Sequence, residues 1–395
     1  MTKKAVFSTS FENSKGRLYN ENESENRNPF QRDRDRVIHS DSFRLLKHKT
    51  QVFLAHTEDY YRTRLTHSLE VSQISRAVSR RLGLDEDLAE VLALSHDLGH
   101  PPFAHSGEEI LNRCMEDYDG FDHNAQTLRI LTSLEENYPL FKGLNLTWET
   151  LEGVVKHNGP LLNPHKVIKE YNKMHDLELN TFPGLEAQIA SLSDDIAYNN
   201  HDIDDGFRAG IISLSDLKKI ELFSEIIKEI NLEFKNIDDY MIVKELIRRL
   251  IGLMINDLIS NTKKNIDKIK PSNPEQIRSH KGLVAGFSDF FISQDSQIRK
   301  FLKSRVYHHS IIEKERVRSM RIIEDIFSKL IEDIDLLPVK LRKKCDTPYS
   351  KISARVICDF IASMTDRSVV ENHAKLCGKN LFDQPGNWNE YNKLL

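Results

Sequence analysis

No stretch of this chain approaches the roughly twenty consecutive apolar residues that a membrane-spanning helix needs. The opening Met1-Thr2-Lys3-Lys4 carries no apolar run of the kind a secretory signal has, so the expectation is a soluble cytoplasmic protein with no membrane partner. Cysteine is scarce. The four in 395 residues (Cys114, Cys345, Cys358 and Cys377) include no Cys-x-x-Cys pair, which argues against both a disulfide framework and a thiolate zinc site. Neither sign of charge dominates: 56 Lys and Arg face 60 Asp and Glu, so an anionic ligand must be met by a local cluster and not by the overall field. Strand signals are weak and no internal repeat is visible. With 39% hydrophobic residues the chain can still bury a sizeable core, as one large domain or two.

What the chain has is histidine in one place. Five of its sixteen histidines (His67, His96, His100, His105 and His123) fall between positions 67 and 123. The stretch Ser95 to Glu108 alone holds three imidazoles and two carboxylates. A lone histidine of this kind is usually a satisfied core or surface residue; five in one helical unit beside an aspartate point to a site.

Helical spacing organises this region. Thr66 is a plausible N-cap for a helix carrying Leu69, Ile74, Ala77, Val78 and Leu82, and Gly83 is a fitting stop. A second helix, Asp85 to Leu98, follows at once and is terminated by Gly99 and Pro101-Pro102. Two adjacent antiparallel helices of about 15 residues, roughly 22 Å each, return the chain to its start. His67 is thereby placed beside His96 and Asp97. Imidazole and carboxylate donors without thiolates suit Mg, Mn, Zn or another first-row divalent ion. The best source of a further ligand is the helix Ala187 to Tyr198, whose small residues surround the pair Asp194-Asp195.

The remainder reads as helix and loop. Residues 1–30 are polar and are expected to form a flexible arm that orders only against something else. The run Gln31-Arg32-Asp33-Arg34-Asp35-Arg36 is expected to be a solvated helix face. Gln51 to Ala55 could be strand or loop. Helices are expected from Asp122 to Leu131, from Thr147 to Val155 ahead of the polar group Lys156-His157-Asn158, and from Leu214 to about Ile269. Lys264 to Glu275, with Pro271 and Pro274, is the best candidate hinge or exposed loop.

Three segments carry a resemblance: Arg62-Thr63-Arg64-Leu65-Thr66-His67-Ser68-Leu69-Glu70-Val71, His96-Asp97-Leu98-Gly99-His100-Pro101-Pro102-Phe103-Ala104-His105, and Asp194-Asp195-Ile196-Ala197-Tyr198. Together they resemble the HD-superfamily phosphohydrolases, and more narrowly the bacterial deoxyguanosine triphosphate triphosphohydrolase-like proteins. Lys49 to Phe53, Phe121 to Gln126, Val155 to Pro160 and Met364 to Arg367 support it in the same order along the chain.

The resemblance implies an all-α fold: an HD-type catalytic core at 31–210, followed by a helical region at 211–395 that completes the active site and supplies oligomer contacts. It implies one divalent metal held by His67, His96, Asp97 and Asp194, and hydrolysis of a dNTP at the α-phosphate to deoxynucleoside and inorganic triphosphate. His105 is then the catalytic histidine, oriented by Glu108, with His100 and His123 facing phosphate. Arg64 and Tyr198 are implied as phosphate contacts, Asp202 and Gln51 as sugar contacts, and Arg299 and Tyr307 as triphosphate-side and sugar-side groups. Asp195 stands where the eukaryotic branch has a lysine. A homo-oligomer, hexamer or tetramer, and a possible nucleotide activator are also implied.

Two other readings compete. A phosphohydrolase acting on another nucleotide would share the metal ligands but not need Gln51 and Asp202. A catalytically silent regulator that binds nucleotide or nucleic acid would need a clustered basic surface, hinted at only in Arg248-Arg249 and Lys340 to Lys344.

Overall fold

A computed structural model describes residues 4–51 and 61–378, and every element named among them is a helix. Extended pairing among the described residues is limited to two isolated bridges, Arg17 with Thr147 and Thr50 with Thr63. The fold is all-α.

The central hairpin forms as its spacing requires. Helix α1 spans Pro29–Ile38, α2 Arg64–Leu82 and α3 Glu86–Ser95. The cap of α2 is Thr63, not Thr66: the two side chains form a reciprocal capping box, so the helix begins three residues earlier than expected. Gly83 closes α2 in the left-handed region at φ 73°, a conformation that costs a side-chain-bearing residue about 1–2 kcal/mol. His96 is the C-cap of α3 and Asp97 lies just beyond it, so both leave the helix at its end.

Further helices surround the hairpin: α4 (Ala104–Cys114), α5 (His123–Arg129), α6 (Trp148–Val155) and α7 (Leu185–Arg208). Then come α8 (Glu221–Glu233), α9 (Asp239–Ile269), α10 (Asp289–Leu302), α11 (Ser310–Glu332), α12 (Lys351–Ala362) and α13 (Asp366–Cys377). Three hydrophobic clusters hold them. Val71, Ile74 and Val78 of α2 pack with Ile189, Ile196 and Ile203 of α7 and with Phe223, Leu246 and Leu250 beyond. Phe30 and Val37 of α1 join Leu88 and Leu92 of α3, Leu128 of α5 and Leu151 of α6. Ile110 and Leu111 of α4 join Ile322, Ile326, Ile357 and Val369. Two of these clusters draw residues from both sides of position 210, so the N- and C-terminal parts share their cores.

Three local expectations change. The arm orders against its own protein: Ser8 and Thr9 donate to the buried Glu186, and the Trp148 N–H donates to the Gly16 carbonyl at 2.7 Å. The charged run of α1 is not a solvated face, because Asp33 and Arg36 are buried. Asp33 pairs with Arg17 and accepts from the Thr147 N–H and the Thr147 and Thr150 hydroxyls, which ties the start of α6 to α1. The expected hinge is mostly helix: α9 runs to Ile269, and Pro274 opens another short helix, Pro274–Arg278, so only four residues form the turn. Of the apolar piece Gln51 to Ala55, all but Gln51 lies outside the described residues.

Candidate metal and nucleotide site

Helix ends build the site. The first turn of α2 brings His67, the end of α3 brings His96 and Asp97, and the middle of α7 brings Asp194. His67 Nε2 lies 2.8 Å from Asp194 Oδ1, and His96 Nε2 lies 3.7 Å from the same oxygen and 3.5 Å from Asp97 Oδ1. His67, His96 and Asp97 can all present ligand atoms to one point. Gly99 makes this packing possible, since a Cβ there would meet the His123 carbonyl oxygen at 2.0 Å.

The donor set fits a divalent cation on two counts. His96 Nε2 and Asp97 Oδ2 are buried without a hydrogen-bond partner, an arrangement that costs roughly 1–3 kcal/mol per group unless something else binds them. His96 Nδ1 donates to the Ala93 carbonyl at 2.7 Å, which leaves Nε2 as the bare lone pair. Burial pushes His96 further down from its ordinary value, keeping it neutral. Burial opposes ionisation of Asp97 and Asp194, yet Arg64 at the first and His96, His157 and His67 at the second hold both carboxyls well below the usual range.

A second group adjoins the first through Asp97, whose Oδ1 accepts from Arg64 Nη1 at 2.7 Å and lies 3.2 Å from His100 Nε2. His100 stacks on His123 with ring centroids 4.1 Å apart, and Glu108 Oε1 receives His123 Nδ1 at 2.7 Å and the His123 backbone N–H at 3.0 Å. Burial works against the His123 cation, but the hydrogen bond and charge of Glu108, with the charges of Asp122 and Asp97, together raise the imidazole above its ordinary value. Glu108 is thus shared, hydrogen-bonding His123 while standing within ion-pair reach of His105, the partner expected for it. His105 Nδ1 stands 3.9 Å from Glu108 Oε2, beyond hydrogen-bonding distance, and its side chain is 68% exposed. The loop reaches this position through two consecutive left-handed residues, Phe103 at φ 63° and Ala104 at φ 53°. Asp366 clamps that loop, accepting the backbone N–H groups of Phe103 and Thr50 at 2.9 and 2.8 Å, while the buried Lys49 donates to the His100 and Ala362 carbonyls.

His105, Gln51, Tyr198 and Tyr307 line a cavity of about 540 Å³. Gln51 Oε1 is buried there without a partner. Asp202 lies deeper, accepting a hydrogen bond from the Tyr307 hydroxyl, and burial pushes its carboxyl up to about 7. Arg299 is committed elsewhere: it donates to Asp195 at 2.8 Å and Asp295 at 2.7 Å. Thus the structure brings together His67, His96, Asp97, Asp194, Arg64 and His100, then His123 with Glu108, and the cavity group. It leaves Arg299 paired with Asp195, outside the cavity lining.

Sequence reasoning missed four participants. His157 Nε2 reaches Asp194 Oδ2 at 3.4 Å and its ring stacks on His96, centroids 5.3 Å apart. His201 touches His67, and Glu70 and Arg62 back it. Spacing held part of the signal: Glu70 is one turn after His67, and His201 two turns after Asp194.

Comparison with known proteins agrees with the geometry. A family model described as the HD domain matches residues 64–199, and one described as a phosphohydrolase-associated domain matches 285–375. A "deoxyguanosinetriphosphate triphosphohydrolase-like protein" of Parvibaculum lavamentivorans is 48% identical over 94% of this chain and 96% of its own length. Proteins with the same description from a Bradyrhizobium species and from Brucella ovis are 50% and 46% identical, over 94% and 92% of this chain and 96% and 92% of theirs. No helix among the described residues is long and apolar enough to cross a membrane. With its HD residues converging at one point and its relatives matching nearly end to end, the chain belongs to the deoxyguanosinetriphosphate triphosphohydrolase-like family of HD-domain phosphohydrolases.

Proposed function

We propose that this protein is a metal-dependent dNTP triphosphohydrolase, acting on dGTP or other dNTPs at the α-phosphate to release deoxynucleoside and inorganic triphosphate. The observation that carries the reading is the pair of unpartnered buried donors, His96 Nε2 and Asp97 Oδ2, one shared carboxylate away from a histidine group that abuts a cavity of nucleotide size. His67, His96, Asp97 and Asp194 would hold the cation, which supplies Lewis-acid polarisation of a phosphoryl oxygen and a more acidic water.

The chain's own residues do the rest. Arg64 fixes Asp97 from behind. The His123–Glu108 pair presents an imidazolium toward phosphate, and His105, on the cavity wall, hands a proton to the departing 5′-oxygen. Tyr198 faces phosphate, and Gln51 and Tyr307 enclose the sugar side, with Asp202 behind Tyr307 reached by the sugar hydroxyl once Tyr307 yields. The basic residues that a nucleic-acid alternative would use are paired on the surface, Arg248 and Arg249 with Glu245 and Glu233, and Lys340 and Lys344 with Glu136.

The test is a panel of the four dNTPs and GTP with Mg or Mn, with products separated by chromatography. Deoxynucleoside and triphosphate in equal amounts are expected. Monophosphate with pyrophosphate, or turnover of GTP alone, would contradict the reading.

A further inference from the structure

We propose that Glu70 and His201 form a relay that fixes the tautomer of His67 and so holds its Nε2 lone pair toward the cation; this rests on the metal-site reading above. His201 Nε2 lies 2.7 Å from Glu70 Oε2, and His201 Nδ1 lies 3.2 Å from His67 Nδ1, with the two rings near perpendicular at 83°. An ionised carboxylate only accepts hydrogen bonds, so the proton on that side of His201 sits on Nε2. Its Nδ1 is then the acceptor, and the hydrogen in the short nitrogen–nitrogen contact belongs to His67 Nδ1. The remaining nitrogen of His67, Nε2, is the one that faces Asp194 at 2.8 Å.

The comparison with His96 shows why such a device is needed. His96 sits at the end of a helix, where the Ala93 carbonyl one turn back receives its Nδ1–H. His67 sits in the first turn of α2, where the carbonyl three residues back, that of Arg64, is taken up by the helix's own ladder, and its acceptor comes instead from another helix, α7. Arg62 anchors the far end, with Nε at 3.2 Å from Glu70 and Nη1 at 2.9 and 2.8 Å from Asp204 and Asp205. Groups that orient a ligand's second nitrogen govern metal affinity by about 10- to 100-fold. Glu70 and His201 are positioning residues: neither is among the ligands His67, His96, Asp97 and Asp194 that would hold the cation.

The experiment is Mn(II) titration of the metal-free full-length protein by calorimetry, with the metal-free Tm and the metal-induced rise in Tm as further readouts. Glu70→Ala is expected to weaken Mn(II) binding about 10- to 100-fold and to shrink the metal-induced rise. The metal-free Tm should change little, because the Glu70 side chain is 44% exposed. Glu70→Gln, whose amide oxygen still accepts from His201, should recover most of the affinity, a rescue that a purely structural role would not produce. His201→Phe keeps the ring's bulk, removes both nitrogens and should match Glu70→Ala. Wild-type Mn(II) affinity in Glu70→Ala and His201→Phe would overturn the relay while leaving the metal site standing. A wild-type protein that binds no Mn(II) would remove the site itself.

Discussion

The metal side and the nucleoside side of the site are built in opposite ways. On the metal side, two donor atoms stay bare while neighbouring groups hold the side chains that carry them: Ala93 holds His96, Arg64 holds Asp97, and His157 reaches Asp194. On the nucleoside side Gln51 Oε1 is bare as well, but the charged groups are already taken, Asp202 by Tyr307 and Arg299 by Asp195 and Asp295. The first is prepared for its ligand before it arrives. The second must exchange internal partners for substrate, so part of its binding energy goes into breaking those contacts. Damage to the two sides should therefore read out differently, as lost metal and lost turnover on one and as altered KM on the other.

The largest expected effect breaks the metal side. Asp194→Ala removes a carboxylate that touches three histidines, and metal analysis should find the ion gone along with activity. Asp195→Ala, one residue on, should keep its metal, because Asp195 is engaged by Arg299. An empty Asp195→Ala beside a loaded Asp194→Ala would move the ligand by one position.

Next comes the proton. His105→Ala should slow single-turnover hydrolysis by roughly 10² to 10⁴ with metal retained, the usual worth of a positioned acid. Glu108→Gln should act chiefly through His123, since the carboxylate hydrogen-bonds that ring at 2.7 Å and stands 3.9 Å from His105, and its cost should be smaller than that of His105→Ala. A folded, metal-loaded His105→Ala enzyme within threefold of wild type would pass the role to His100 or His123.

On the nucleoside side the effects should be smaller and fall on KM. Arg299→Ala is expected to raise KM about tenfold with kcat little changed, if binding requires Arg299 to leave Asp195 for the triphosphate. An unchanged KM would mean that the Arg299 pair is purely structural.

The smallest effect is on stability against pH. Asp202 has a carboxyl raised by burial from its ordinary value to about 7, so the folded protein holds a proton there that the unfolded chain has released. Its contribution is present at acid pH and is lost as pH rises through about 7. Asp202→Asn should flatten the fall in Tm between pH 5 and 8; an equally steep fall would assign the dependence to other groups.

Much of this is legible in the chain itself, and the failures have local causes. The hairpin that pairs His67 with His96 follows from helical spacing and the left-handed stop at Gly83, both local properties. Three-residue spacing alone pairs Glu108 with His105. The left-handed pair Phe103-Ala104 and the clamp from Asp366, 263 residues away, set the loop, and Glu108 meets the start of α5 instead. The partners of His157 and His201 come from other helices, so the polar group around His157 and the two-turn spacing of His201 from Asp194 do not by themselves assign either residue to the site. Asp33 and Arg36 look solvated for the same reason: Arg17 and Thr147, far from them in sequence, bury the first, and Glu21 and the Leu144 carbonyl bind the second.

Water is expected to attack the α-phosphorus, with the 5′-oxygen as leaving group. Hydrolysis of dGTP, or whichever dNTP turns over fastest, in ¹⁸O-labelled water should place the label in the inorganic triphosphate, leaving the deoxynucleoside unlabelled, with no reaction once the metal is chelated. Label in the nucleoside 5′-hydroxyl, or a labelled monophosphate with pyrophosphate, would contradict attack at the α-phosphorus with the 5′-oxygen as leaving group.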